Sequence, residues 1–511
     1  MSNILTFKIP DSWNSQTIIA EISKHFLIKK NPIVEQRQTC FDTFDWRLFT
    51  NGYYLIQEEE KYYLSSTKTE ALVEKPIGAL ITNPKFWWDF PEGTFKDMLK
   101  KYLDIRALIP LFEIEIKVDR LLILNNDQKT VVRVQFENIY LIQQGRANEF
   151  THCIKLRTVR GYDQEFVEIK KWLNELGIIQ ETKAVFLLVL EAIGKKPGDY
   201  SSKLNVTLSP DMTVREATII ILKYLLHIIQ LNVAGIKEDI DTEFLHDFRV
   251  AIRRTRSTLS QIKGVFPKEI RDRFKNDLAV LQKTTNRLRD LDVYLLNKEN
   301  YQQMLPDHLR PGLEPLFDQL RLERKEEHKN IVNVLCANSY TKTIESWEAF
   351  LNSIEERPET KNSHKPVIDL SRKFIFKAYN QVIQIGNQIR DYSPASELHQ
   401  LRIECKKLRY LLEFFASLFP EQEISLLVKQ LKRLQDNLGD YNDLSVQQRS
   451  LKKYLETIAS EYKDSQQTVA AIGGLIASLF QQQQSVRKAL AQTFTEFSEQ
   501  DNKKIYQKLF A

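Results

Sequence analysis

Cysteine is scarce in this 511-residue chain, and so are glycine and long uncharged apolar runs. The four cysteines, Cys40, Cys153, Cys336 and Cys405, show neither a CxxC spacing nor an even framework. That excludes a disulfide scaffold, and they read as reduced thiols of a cytoplasmic protein. Fifteen glycines without a period exclude a collagen. The greasiest stretch, Ala217–Leu231, is interrupted by Lys223 and His227, so no membrane is expected as a partner. The opening residues MSNILTFKIPDSW lack the basic-then-apolar pattern of a signal peptide. No glycine-rich phosphate loop and no GxSxG nucleophile motif occurs. An excess of one charge is also missing: 73 basic residues face 67 acidic ones. Affinity for a polyanion would therefore have to come from where the charges sit.

What is present is a globular composition, 42% apolar and 27% charged, with length enough for at least two domains. The first part has the texture of an α+β domain. Period-two alternation runs through Leu111–Leu124 and Thr130–Leu141, and Asn51-Gly52 is a turn signal before the Tyr53–Ile56 run. Gly194–Pro210 is rich in Gly, Pro and Ser. The expected division is a β domain over 1–195, a linker over 196–210 and a helical domain over 211–505. In that last part the apolar period becomes 3.6, with breaks at Phe266-Pro267, Leu305-Pro306, Glu356–Lys365 and Phe419-Pro420.

The helical part repeats itself. LHDFRVAIRRTRSTLSQIKGVFP (245–267) aligns without gaps on LHQLRIECKKLRYLLEFFASLFP (398–420), at a constant offset of 153. The match continues from LAVLQKTTNRLRDLDV (278–293) to LKRLQDNLGDYNDLSV (431–446), with 13 identities in the 49 pairs from 245 to 293. A duplicated bundle explains this, with copies expected near 211–357 and 366–505. On a helical wheel His246, Arg249, Arg253 and Arg256 share one arc of about 80°, opposite Phe248, Ile252, Leu259 and Ile262. His399, Arg402, Lys406 and Arg409 repeat the arc, opposite Leu401, Cys405, Leu412 and Phe415. Arg254 and Lys407 flank the two rows.

Charge rows are usually solvated faces laced with ion pairs. Around Arg253 and Arg256, however, no acid lies at helical spacing, and like charges so placed cost a few tenths of a kcal/mol per pair. The same row in the same register twice points to an anion that offsets the repulsion. Neither row histidine has a second ligand in its own helix, so a phosphate-donor role suits them better than a metal.

The repeated H-x-x-R-x-x-x-[RK]-[RK]-x-R signature, the LQ…D-x-x-V segments and the Arg321–Phe350 stretch resemble the CHAD domain, over about residues 206–505. That resemblance implies two four-helix bundles related by a pseudo-twofold axis, with inorganic polyphosphate bound in a basic channel between them. Carried over by position, it makes His246, Arg249, Arg253, Arg254 and Arg256 one wall and His399, Arg402, Lys406, Lys407 and Arg409 the other. Lys432, Lys373 and Lys377 would extend the channel. The rows hold no aromatic residue, which disfavours single-stranded nucleic acid as the partner.

The β domain, 1–195, resembles the CYTH fold, an antiparallel β-barrel shaped as a tunnel. Phe41–Leu55 (FDTFDWRLFTNGYYL) matches that family's Y-x-D-T-x-D-x-x-L…G-x-x-L segment. The family's E-x-E-x-K metal motif is not intact on the first strand, where Ile4 and Thr6 precede Lys8. Gln57, Glu58, Glu59 and Glu60 stand where the family carries arginines. The barrel is thus expected to be degenerate, a spacer or docking domain, and the protein non-catalytic with no cofactor. The alternative is a metal-dependent tripolyphosphatase, in which Glu113 and Glu115 of the E-x-E-x-K run at 113–117 would hold Mg²⁺ or Mn²⁺. A nucleic-acid-binding module is the third reading. Polyphosphate binding would place the protein in the cytoplasm, with polyphosphate granules.

Overall fold

The computed structural model describes residues 4–10, 12–68, 72–353, 360–390, 392–461 and 466–511, without the side chains of 457–461. The chain divides into two compact units, Met1–Ser201 and Ser202–Ala511. The break read from sequence at Glu356–Lys365 lies partly outside the described residues.

The N-terminal unit runs β1 (Ile4–Lys8), α1 (Ser15–His25), β2 (Leu27–Lys30), β3 (Val34–Asp42), α2 (Arg47–Thr50), β4 (Tyr53–Glu58), β5 (Lys61–Ser66), β6 (Ile77–Gly78) and α3 (Thr94–Leu103). It continues through β7 (Ile109–Leu124), β8 (Thr130–Gln143), β9 (Arg146–Thr158), α4 (Asp163–Glu175), β10 (Gln180–Glu181) and α5 (Val185–Ala192). The strands form one antiparallel sheet ordered β10-β1-β9-β8-β7-β3-β4-β5-β6, with β2 also on β7. This β-rich architecture fits a CYTH-like barrel.

The long strand β7 changes its buried face along its length. Leu121 and Ile123 point into a core with Val134, Phe136, Ile154 and Leu156, closed by α1 and α4. Ile114, Ile116 and Val118 point the other way, to Ile139, Leu141 and Val189 of α5. The period-two pattern therefore serves two cores, one on each face of the sheet.

The Phe41–Leu55 segment is explained by local bracing. The Asp42 carboxylate accepts from the backbone N–H groups of Thr43 (2.7 Å), Leu48 (2.9 Å) and Phe49 (2.9 Å), fixing the turn into α2. Burial lifts Asp42 to about 6 despite those donors. Asp45 is held low by Arg106 and Arg47 against its own burial. Gly52, at φ +86, supplies the left-handed turn into β4.

The C-terminal unit is helical: α6 (Val214–Lys237), α7 (Thr242–Gln261), α8 (Lys268–Thr284), α9 (Asn286–Leu296), α10 (Lys298–Gln303), α11 (Glu314–Cys336) and α12 (Asn338–Asn352). The second copy comprises α13 (Val367–Gly386), α14 (Ala395–Phe414), α15 (Glu421–Glu461), α16 (Gln466–Ser498) and α17 (Gln500–Phe510). The offset of the sequence repeat maps the first residues of α6, α7 and α8 onto the first residues of α13, α14 and α15. The duplication thus reaches α6 and α13, where little identity survives. The copies differ where the first is broken and the second continuous: the first copy has junctions at Thr285, Asn297 and Ala337, whereas α15 and α16 run through the equivalent positions.

The wheel's apolar arcs are core. Phe248, Ile252, Leu259 and Ile262 are buried, as are Leu401, Cys405, Leu412 and Phe415, each of the larger ones contributing about 2 kcal/mol of burial. Asp241 caps α7, accepting from the N–H of Glu243 at 2.9 Å and of Phe244 at 3.3 Å. Helix α6, with 24 residues, is long and apolar enough to cross a membrane by length and composition. Its apolarity has a packing reason, because more than half of that stretch is buried inside the helical unit.

Candidate functional site

Helices α7 and α14 bring the two basic rows together. Arg253 Nε donates to the Tyr410 hydroxyl at 2.8 Å, a direct link from the first row to the second helix. Lys406 lies among Arg402, Arg253 and Arg409, cations from both copies. Burial foremost, then those charges, lowers its ammonium to about 7, against a smaller pull from Asp443. Burial and three neighbouring arginines thus act together on this ammonium, although Asp443 and Glu413 lie on Arg402 and Arg409.

The rows are held from behind by residues at equivalent repeat positions. Arg256 donates to Gln282 Oε1 at 2.5 Å, and Arg409 donates to Gln435 Oε1 at 3.2 Å, the same pair in the other copy. Arg402 lies 3.5 Å from Asp443. Its counterpart Arg249 feels the equivalent Asp290, but its hydrogen bonds go to the Gln282 carbonyl (3.1 Å), Thr285 Oγ1 (2.7 Å) and Asn286 Oδ1 (2.8 Å). Burial, with Arg253 next, lowers Arg249 to about 10. Among the described residues, Arg256 Nε, Arg402 Nε and Gln435 Nε2 are buried donors with no acceptor. Buried donors of this kind are costly unless something accepts from them.

The two walls differ. Arg253 and Arg256 have a tyrosine and a glutamine as their hydrogen-bond partners. In the second copy Glu413 accepts from Arg409 Nε at 2.7 Å and from Arg254 at 2.8 Å. Arg254 also donates to the Ser202 carbonyl at 2.6 Å and is buried. Lys407 pairs with Glu404 at 2.7 Å. Arg254 and Lys407, the flanking cations, are thus each committed to a carboxylate.

His246 is half-buried on the same row, and His399 is exposed, its Nδ1 3.4 Å from Asn442 Oδ1. Lys432 is exposed on α15. Lys373 and Lys377 line a separate groove of about 690 Å³ with Arg372, Phe376 and Phe510, apart from the rows.

The sequence reading missed Tyr410, Gln282, Gln435 and Glu413. The glutamines carried a signal, identity in both copies. Glu413 carried another, its i+4 spacing from Arg409, whereas Tyr410 faces a serine in the first copy and gave none.

The barrel-side alternative has a different geometry. Glu113 pairs with Arg37, and Lys117 contacts Glu35 at 2.9 Å and Glu115 at 3.9 Å. These side chains project from the face of β7 opposite Ile114 and Ile116, so the run is a cross-strand ion-pair ladder rather than a carboxylate cluster. Among the described residues, no three His, Cys, Asp or Glu side chains are grouped to hold a metal.

The model of the CHAD domain matches residues 220–452. This part of the helical unit is a CHAD domain. The crystal structure of the CHAD domain from the plant Ricinus communis is similar over 56% of this chain and 93% of that one, at 24% identity and a TM-score of 0.48. PptA from Streptomyces chartreusis is similar over 56% of this chain and all of that one, at 15% identity and a TM-score of 0.44. No curated protein matches the chain. Both basic rows fall within the matched span of the CHAD domain, and Lys432 does too.

Proposed function

We propose that the CHAD domain binds inorganic polyphosphate between its two repeats and does so without chemistry. The observation that carries this reading is the convergence of Arg253, Arg402, Lys406 and Arg409 from two helices on one place, together with buried arginine and glutamine donors that have no acceptor. Polyphosphate is a flexible chain with one charge per unit and no bases. Arginine forks and lysine ammonium groups match its oxygens, and closely spaced phosphates can reach several cations at once. The CHAD resemblance implies the same ligand.

A nucleic acid is the less favoured polyanion. Tyr410, the aromatic side chain tied to the rows, is 8% exposed and stacks on Phe414, so it offers no open ring to a base. Calorimetric titration with long-chain polyphosphate in Mg²⁺ buffer, with and without excess single-stranded DNA, tests the reading. The expected result is binding that DNA does not displace and no phosphate released from the same samples. Displacement by DNA would assign the rows to nucleic acid, and steady phosphate release would make the protein an enzyme.

A further inference from the structure

The N-terminal unit contains a cavity that the basic rows do not use. It holds about 240 Å³ on the face of the sheet beneath α5, and one part of its wall is apolar: Tyr54, Ile56, Phe112, Ile114, Ile116 and Phe186. Three charged side chains line it, Glu58, Glu137 and Lys155. Two of them neutralise each other, since Lys155 Nζ lies 2.9 Å from Glu137 Oε2.

Glu58 stands apart. Its carboxylate oxygens accept from the side-chain amides of Gln36 and Gln38, each at 2.9 Å. Both donors are neutral, and among the described residues Glu58 has no lysine or arginine partner. The cross-strand register explains the arrangement, because Gln38 sits opposite Glu58 and Gln36 lies two residues along the same face. The cavity therefore carries one uncompensated negative charge on an aromatic and aliphatic wall.

That combination rejects phosphate, which would meet a free carboxylate and a lysine already paired. It suits the opposite ligand. An ammonium takes a carboxylate as its charge-assisted partner and aromatic faces as its second contact. An apolar wall beside a few placed polar groups is a usual form of a small-molecule site. We propose that the N-terminal unit binds a small organic cation, an amine with an apolar body, its nitrogen on Glu58 and its body against Tyr54, Ile56 and Phe112. The volume limits the ligand to roughly ten non-hydrogen atoms.

Phenethylamine and its neutral isostere 2-phenylethanol are the probes, titrated by calorimetry and thermal shift into the full-length protein. The expected result is binding of the amine at least tenfold tighter than of the alcohol. Glu58→Gln should abolish that preference by weakening the amine alone, with 2-phenylethanol bound as in the wild type, which shows that the N-terminal unit is still folded. Equal binding of amine and alcohol to the wild type, no binding of the amine, or a preference that survives in E58Q would each overturn the proposal. The polyphosphate titration reads the helical unit, so either proposal can fail without the other.

Discussion

The depressed ammonium of Lys406 makes polyphosphate binding depend on pH in a way that few other groups could mimic. In the free protein Lys406 titrates at about 7, because burial and the neighbouring Arg402, Arg253 and Arg409 disfavour its charge. A bound polyanion supplies the missing counter-charge and returns the ammonium toward its ordinary range. Binding above neutrality must then take up a proton. With the free value at about 7, the apparent affinity falls by roughly 30-fold between pH 6 and pH 8.5. The interior phosphates of a long chain stay ionised throughout, so the ligand adds little to the slope. Calorimetry in buffers of different ionisation enthalpy reads the proton uptake directly, and Lys406→Arg, whose guanidinium does not titrate here, should flatten the profile. The row histidines are common to both proteins and cancel in that comparison. A wild-type affinity unchanged from pH 6 to 8.5, or an equal slope in K406R, would refute the reasoning. The stability of the free protein moves the opposite way. A lysine whose folded value lies below its unfolded one costs stability while charged, and that cost is relieved as pH rises above about 7. Polyphosphate should therefore raise the melting temperature more at pH 6 than at pH 9.

Other consequences follow from the same contacts. Glu413→Gln removes the carboxylate shared by Arg254 and Arg409, and should destabilise the helical unit by about 3 kcal/mol in denaturant unfolding. An unchanged midpoint would mean that the pair is not buried in solution. Gly235→Ala would push a methyl into the ring of Phe244, at the crossing of α6 and α7, at a cost of about 1–3 kcal/mol. A neutral outcome would contradict that close approach. With about six cations engaged, affinity should drop by roughly a thousandfold between 50 and 200 mM salt, on the scale known for DNA. A salt-independent constant would exclude an electrostatic site.

Much of this was legible in the sequence because duplication prints the same constraint twice. The basic rows, the apolar arcs behind them and the proline breaks at Pro267 and Pro420 all appear as spacing, and each matches a helix face or a helix start. The partners of the rows were harder to see. Tyr410 meets Arg253, and Glu413 meets Arg254, of the other repeat, and those two contacts leave no trace in a pattern that compares one copy with the other, although the bond of Glu413 to Arg409 shows as i+4 spacing. In the N-terminal unit, alternation showed which residues share a face of β7 but not which face encloses a cavity. That depended on α5, a short helix that the chain reaches only after β8, β9, α4 and β10.

Polyphosphate affinity measured for wild type, Arg253→Ala, Arg402→Ala and the double variant, with helicity followed by circular dichroism, tests most directly whether the two repeats form one site. Arg253 and Arg402 are the informative pair, since Arg249 is held by three bonds that serve the fold. One shared site predicts a loss of about tenfold for each single variant, a larger loss in the double variant, and unchanged helicity. Wild-type affinity in a fully helical double variant would contradict it.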